Sequence, residues 1–499
     1  MFLSLGDKLK SDSESNLQRL VDASIASRIF NQDSSIWGEQ AQPEASIRLG
    51  WTDPVDKANN LIPEILKLRD ELNAKGVSRI VLCGMGGSSL APEVICKAEN
   101  KELYVLDSTS PSMVREALQD LEKTAVVVSS KSGSTVETDS QKRIFEEAFE
   151  QAGIDPKTRI VIVTDPQSPL MLDSQAKGYT IFEADPNVGG RYSAMTAFGL
   201  VPSGLAGANI AKLVSDANSI IPSLSADSRD NPALILASAM SGENSRLVIN
   251  DSDSELAGFA DWAEQLIAES TGKNSRGILP VAGDPKAEIQ AKAHKVLPLS
   301  ISSTAANDQW LHINGSLGEM FMVFETATAA AGWLIGINPF DQPDVESAKK
   351  AARESLDAES STDDFVEISS TREQISEMEP SGYLSVHLYA HRKPESRLGE
   401  IRERFVELTG VPVTVGWGPR FLHSTGQFHK GGTEGGVFLQ LVQADEELMI
   451  PGKEFGFQKL IEAQAIGDAR VLRDKGNTVV RVWVSAGEDV VDVLEKIIG

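Results

Sequence analysis

The sequence predicts an α/β protein built as two αβα sandwich units with mainly parallel sheets. The chain has 499 residues, too many for one compact core, so two units are expected, and a third if the C-terminal stretch folds separately. From about residue 60, short apolar runs alternate with amphipathic ones, the pattern of parallel strands joined by helical crossovers. With 41% apolar and 24% charged residues and no low-complexity tract, the composition is that of an ordinary globular chain.

Residues 1–55 read as an N-terminal helical segment. Its opening, MFLSLGDKLKSDSESN, turns polar after five residues and lacks the longer apolar region of a signal peptide. Leu61, Ile65, Leu68 and Leu72 then fall at helical spacing until Gly76 stops the pattern. RIVLC, LYVLD (ending at Asp107), AVVV, TRIVIVTD and YTIFEAD read as strands of a doubly wound first unit, residues 56–225. A second unit, residues 226–499, has strands at RLVIND, VLPLSIS, YLSVHLY, VPVTVGW, GVFLQLV and VVRVWVS. The acidic, Ser-rich stretch 351–379 reads as a surface connection. The apolar run from Met320 to Ile337 carries Glu325 and reads as a core helix, because a membrane span needs about 20 largely uncharged residues.

The 72 acidic against 47 basic residues give a net charge of −25, which repels nucleic acid and anionic membrane surfaces. Neither is an expected partner. A small phosphorylated ligand is compatible, because salt screens the surface field within about 10 Å and a few local cations can then dominate. Cys83 and Cys96 are too few for a disulfide framework and read as buried thiols of a reducing, cytoplasmic protein.

Two loops follow predicted strands and open helices. Gly84-Met85-Gly86-Gly87-Ser88-Ser89 has glycines that let the backbone approach a ligand, with a helix N-terminus behind them. Its spacing fits a dinucleotide fingerprint poorly, although Asp107 ends the next strand as that fingerprint would want. Ser130-Lys131-Ser132-Gly133-Ser134-Thr135 offers four hydroxyls, an ammonium and a helix N-terminus, a set suited to a phosphate dianion. A Ser-rich helix cap is the other reading of the same residues. No Walker spacing is present. In a parallel sheet both loops lie at the carboxyl edge of the strands, where ligands collect.

GMGGSSLAPEV, VSSKSGSTVET, NVGGRYSAMTAFGLVP, AEQLIAESTGKN and INPFDQPDVESAKK, in this order from about residue 80 to 350, resemble the successive motifs of the phosphoglucose isomerase family, built from two sugar-isomerase (SIS) domains. The tail GPRFLHSTGQFHKGG further resembles the isomerase half of bifunctional transaldolase/phosphoglucose isomerase proteins. The resemblance implies two SIS-type αβα sandwiches with the substrate between them, interconversion of glucose 6-phosphate and fructose 6-phosphate, and a homodimer. It implies that Ser130, Lys131, Ser132 and Thr135 hold the substrate phosphate, with Gly87 and Ser88 near the sugar. Arg191 then faces the reacting carbons, where a fixed guanidinium stabilises an enediolate. Glu269 matches the base that takes a proton from C2 and returns it to C1. Gln342 matches a substrate-contacting glutamine and Lys349 the lysine that assists ring opening, with Lys350 a solvated neighbour.

Ring opening also needs a proton-moving group, a task suited to histidine. The family's histidine lies between the glutamate and lysine motifs, where this chain has His294 and His312. The tail stretch WGPRFLHSTGQFHKGGT looks like that segment displaced, so His423 is the expected group, with His429 as its neighbour and His294 as the fallback. No metal is expected: His387 and His391, four apart on a predicted strand, would lie about 13 Å apart and could not share one ion. No redox cofactor is implied either. A dual-specificity phosphoglucose/phosphomannose isomerase is the nearest enzymatic alternative, since the enediol has lost the C2 stereochemistry. A non-catalytic sugar-phosphate sensor is the alternative from another class.

Overall fold

The computed structural model describes residues 1–499 apart from 243–245, 253, 294, 305–309, 357–363, 377–381, 393–396 and 434, and apart from the side chains of 345–349. Among the described residues there are three sheets in a mixed α/β arrangement, and all the pairings between their strands but one are parallel.

The chain opens with strand β1 (Phe2–Leu5). The first sheet follows: β2 (Arg79–Gly84), β3 (Tyr104–Leu106), β4 (Thr124–Ser129), β5 (Ile160–Thr164) and β6 (Thr180–Glu183), in the order β3-β2-β4-β5-β6. β2, β4 and β5 are near-continuous apolar runs buried along almost their whole length, the pattern of parallel strands covered on both faces. The chain goes from β2 outward to β3 and then returns to β4 on the other side. The order therefore reverses between β2 and β4, and the loops after those two strands flank the crevice where such sheets bind ligands.

The second sheet holds β7 (Arg246–Asn250), β8 (Leu279–Ala282), β9 (Val296–Ile301) and β10 (Leu311–Asn314), ordered β1-β10-β9-β7-β8. Three of its strands escape the sequence reading. β1 has four residues in a stretch that is otherwise helical, and it pairs antiparallel with β10 across more than 300 residues of chain. β8 carries Pro280 and survives as an edge strand, the place where proline is tolerated. β10 is also four residues long.

The stretch expected to complete the second unit instead builds a sheet of its own: β11 (Tyr383–Tyr389), β12 (Val413–Trp417), β13 (Gly436–Gln443) and β14 (Thr478–Val484), ordered β12-β11-β13-β14. Its strands pair with one another and enclose a separate core of Leu384, Val386, Val413, Leu439, Val480 and Leu494. A smaller apolar cluster, including Val248, Ala268, Tyr383 and Phe428, seals it against the second sheet. The supposed surface connection is partly helical, since the helix Val345–Leu356 runs into it and Ile368–Ser376 forms another with Ile375 buried.

The apolar helix Leu317–Ile335 is buried from Met320 to Gly332, and Glu325 is the one charged residue in that run. That carboxyl lies in the core without a hydrogen-bond partner, and burial pushes its pKa well above the usual range, favouring the neutral form. Among the described residues no helix is long and apolar enough to cross a membrane.

Candidate active site

A cavity of about 440 Å³ opens at the reversal point of the first sheet. It is lined by the loops after β2 and β4, by Arg191, by the helix Phe259–Thr271 of the second layer, and by His423 from the C-terminal sheet. Gly87, Ser88, Ser130, Lys131, Ser132, Thr135, Arg191, Glu269, Gln342 and His423 all meet there.

Glycine is required where these parts touch. A Cβ on Gly87 would lie 2.1 Å from the carbonyl oxygen of Gly190, and one on Gly86, at φ +55°, 2.3 Å from that of His423. The loop after β2 is thus pressed against both the arginine-bearing and the histidine-bearing segments.

Arg191 is buried and held on every side. Its Nε donates to Ser270 Oγ (2.9 Å), one Nη to Gln342 Oε1 (2.8 Å), and the other to the carbonyls of Pro339 and Asp341 (both 3.0 Å). The remaining contact is Glu269 Oε1, at 3.1 Å. Glu269 lies on the buried face of its helix, and its Oε2 accepts from Gln265 Nε2 at 3.0 Å. The same Gln265 amide donates to the carbonyl of His423 (2.8 Å). Lys273 closes this end of the site: its ammonium donates to the carbonyls of Asn338 and Asp341 and to Asp341 Oδ1, at 2.6–2.7 Å. Burial, with the Arg191 guanidinium nearby, pushes the Lys273 pKa down to about 8.

The loop Ser130–Thr135 leads into the helix Val136–Gln151, with Thr135 at its N-cap. Its hydroxyls bond one another, Ser130 to Thr135 (3.2 Å) and Ser132 to Ser134 (2.9 Å), while Gly133 takes φ +68°. No hydroxyl caps the helix, so the Ser-rich cap is not what these residues form. Val136, Glu137 and Thr138 of the helix's first turn line the cavity, and the unsatisfied N–H groups of a helix N-terminus are suited to an anion. Lys131 Nζ lies 2.8 Å from Asp165 Oδ2. Burial lowers the lysine pKa and raises that of the aspartate, and their pairing opposes both shifts.

His423 ends the short helix Arg420–His423, and its Nε2 is 3.0 Å from Glu137 Oε1. With Glu137 ionised, the carboxylate only accepts, Nε2 carries the hydrogen, and Nδ1 is left to exchange a proton. Glu137 is fixed in turn by Gln464 Nε2 (2.7 Å), itself bonded to Thr109.

The alternative His429 is not part of this cavity. Its ring is buried against Tyr383, Ser385 and His387, and burial holds its pKa well below the ordinary value. His294 and the Lys349 side chain lie outside the described residues; Lys349 belongs to the helix Val345–Leu356, whose Ala352, Arg353 and Leu356 line the cavity. Sequence reasoning missed Gln265, Glu137, Asp165, Arg353 and Gln464. Gln265 had a signal, since it precedes Glu269 by one helical turn and shares its face. Glu137 sat inside a motif already singled out, but its partner is 286 residues away.

Comparisons with known proteins bear on the family and the fold. The model of the family described as phosphoglucose isomerase matches residues 68–278. The chain is 27% identical over 419 residues to a protein of Methanococcus maripaludis named "Probable glucose-6-phosphate isomerase", covering 70% of this chain and 94% of that one. It is 27% identical over 384 residues to the glucose-6-phosphate isomerase of Clostridium tetani, covering 60% and 85%. The crystal structure of a glucose-6-phosphate isomerase from Chlamydia trachomatis superposes with a TM-score of 0.56 at 21% identity, over 69% of this chain and 84% of that one, which speaks for the fold.

Proposed function

We propose, from the premise that this chain belongs to the phosphoglucose isomerase family, that it interconverts glucose 6-phosphate and fructose 6-phosphate through an enediolate. The observation that carries this reading is the convergence of Glu269, Arg191 and the Ser130–Thr135 loop on one cavity. The phosphate sits at the N-terminus of the helix Val136–Gln151, among Ser130, Lys131, Ser132 and Thr135. Gly87 and Ser88 face the sugar, with Gln342 beside Arg191.

In the pyranose, O1–H loses its proton as C1=O forms, C1–O5 breaks and O5 gains a proton. His423 moves that proton through Nδ1, oriented by Glu137, and Lys349 assists. Glu269 then takes the C2 proton, Arg191 stabilises the charge that develops on the C1–C2 oxygens, and Glu269 returns the proton to C1. These steps ask for no redox or metal cofactor. A cytoplasmic homodimer goes with the family resemblance, and light scattering of the purified protein tests the assembly state.

A coupled assay with glucose 6-phosphate, fructose 6-phosphate and mannose 6-phosphate, with and without a chelator, tests the activity. The first two are expected to interconvert at a rate indifferent to the chelator, with the C1 and C2 hydrogens exchanging with solvent deuterium. Consumption of mannose 6-phosphate at a similar rate would make the enzyme dual-specific. Binding of sugar phosphate without turnover would make it a sensor.

A further inference from the structure

Arg420 stands three residues before His423, on the same short helix, and is buried. It lines not the substrate cavity but a neighbouring one. One Nη lies 2.5 Å from Glu93 Oε2 and the other 3.0 Å from Asp107 Oδ2. Arg392, just beyond β11, takes the opposite oxygens, at 3.2 Å from Glu93 Oε1 and 3.8 Å from Asp107 Oδ1. Two guanidiniums of the C-terminal sheet thus alternate with two carboxylates of the first. Glu93 lies on the helix Leu90–Ala98 that follows the glycine loop, and Asp107 directly follows β3. Lys97 and Ser89 complete the set, at 3.0 Å from Glu93 and 3.4 Å from Asp107.

A buried ion cluster of this kind is weak evidence for stability, because removing each charge from water costs several kcal/mol and apolar packing often does as well. It is better suited to fixing one geometry. Three contacts restrain His423, and each restrains something different. Glu137 sets the rotation of the ring, Gln265 holds the backbone carbonyl, and the four-charge clasp fixes where the whole turn sits on the first sheet.

We infer that Arg420 is a positioning residue for ring opening: through its clasp with Glu93, Asp107 and Arg392 it sets the place of the His423 imidazole over the sugar ring without touching substrate. Asp107, which the sequence offers as a nucleotide-binding acid, is on this account half of the clasp.

The inference rests on His423 as the ring-opening group, so the experiment separates the two. Glucose 6-phosphate must be opened, whereas 5-deoxyfructose 6-phosphate lacks O5 and stays open, leaving proton transfer by Glu269 to be read as deuterium exchange. Arg420→Met is expected to lower kcat on glucose 6-phosphate by about 100-fold, the cost of an ångström-scale misplacement, with KM and exchange into the open-chain sugar little changed. Arg420→Lys, which can reach one carboxylate at a time, should fall between. Arg392→Ala, at a half-buried position, should shift the same ratio less, and it carries the test if Arg420→Met does not fold. Equal losses on both substrates, or no loss on glucose 6-phosphate in any of the three, would overturn the clasp. If His423→Ala shows no ring-selective defect, the reading of His423 fails instead; if it does and the clasp variants do not, only the clasp fails.

Discussion

The two ends of the cavity are built to different standards. At the end proposed to react, Arg191 is buried and spends its guanidinium on five acceptors, while both oxygens of Glu269 are engaged. At the end proposed to hold the phosphate, Ser132 and Ser134 are exposed, the hydroxyls bond one another, and the lysine is paired with a partly exposed aspartate. Charge that appears in the transition state must meet groups that need no reorganisation. A phosphate dianion brings its charge from the start, and its arrival can exchange one set of hydrogen bonds for another. On the proposed reading, the difference is one between groups fixed for chemistry and groups free to be recruited for binding.

The largest test is Glu269→Gln, which keeps the shape and removes the base. It should cut turnover by at least about 100-fold, the lower end of general-base contributions, and leave substrate affinity close to that of the parent. Near-normal turnover would place the base elsewhere. Arg191→Lys should also cost kcat about 100-fold, the scale for losing a charge-stabilising donor, because an ammonium cannot reproduce the planar fork held by Ser270, Gln342 and the loop carbonyls. A change confined to KM would show that the reacting end merely binds.

At the other end, Lys131→Ala with Thr135→Ala should raise KM by about 10-fold or more, the worth of one or two charge-assisted hydrogen bonds. Inorganic phosphate should then protect the variant against thermal unfolding less than it protects the parent; equal protection would move the phosphate site. Lys273 supports the rigid end and offers a pH test. Its ammonium holds the Asn338–Asp341 turn and loses its proton near pH 8, so kcat should fall above about pH 8, and Lys273→Arg should push that limb upward. An unchanged limb would dissociate Lys273 from it. The smallest effect is expected from Asp165→Asn, which releases Lys131 from its resting partner and should change KM a few-fold at most, the scale of a partly exposed ion pair.

The same contrast decides what the sequence could reveal. The first sheet was legible strand by strand, since β2 to β5 are apolar runs bounded by turns and β6 a shorter β-branched and aromatic one, and the loops after β2 and β4 announce themselves by glycines and hydroxyls. β1 and β10 were not, because four-residue strands owe their existence to pairing between distant parts of the chain. The C-terminal strands were each visible, but not that they separate into a third sheet, which follows from partner choice and not from any local pattern. In the site, Glu269 and Arg191 were found through motif order, and Gln265 could have been found from helical spacing. Glu137 and Asp165 could not, since a carboxylate that orients a distant histidine or rests against a lysine looks, in one dimension, like any of 72 acids.

The neutral carboxyl of Glu325 sets a ceiling on the alkaline side. Its folded pKa lies well above the 4.5 of an unperturbed glutamate. The folded chain therefore keeps a proton that the unfolded chain has already released, and the associated stability is full below about pH 4.5 and declines as pH rises toward the folded value. Above that value the core helix must accommodate an unpaired anion or loosen to admit water. The protein thus carries in its core a group whose ionisation on the alkaline side works against the fold. Glu325→Gln, which cannot ionise, should flatten the fall of Tm with rising pH.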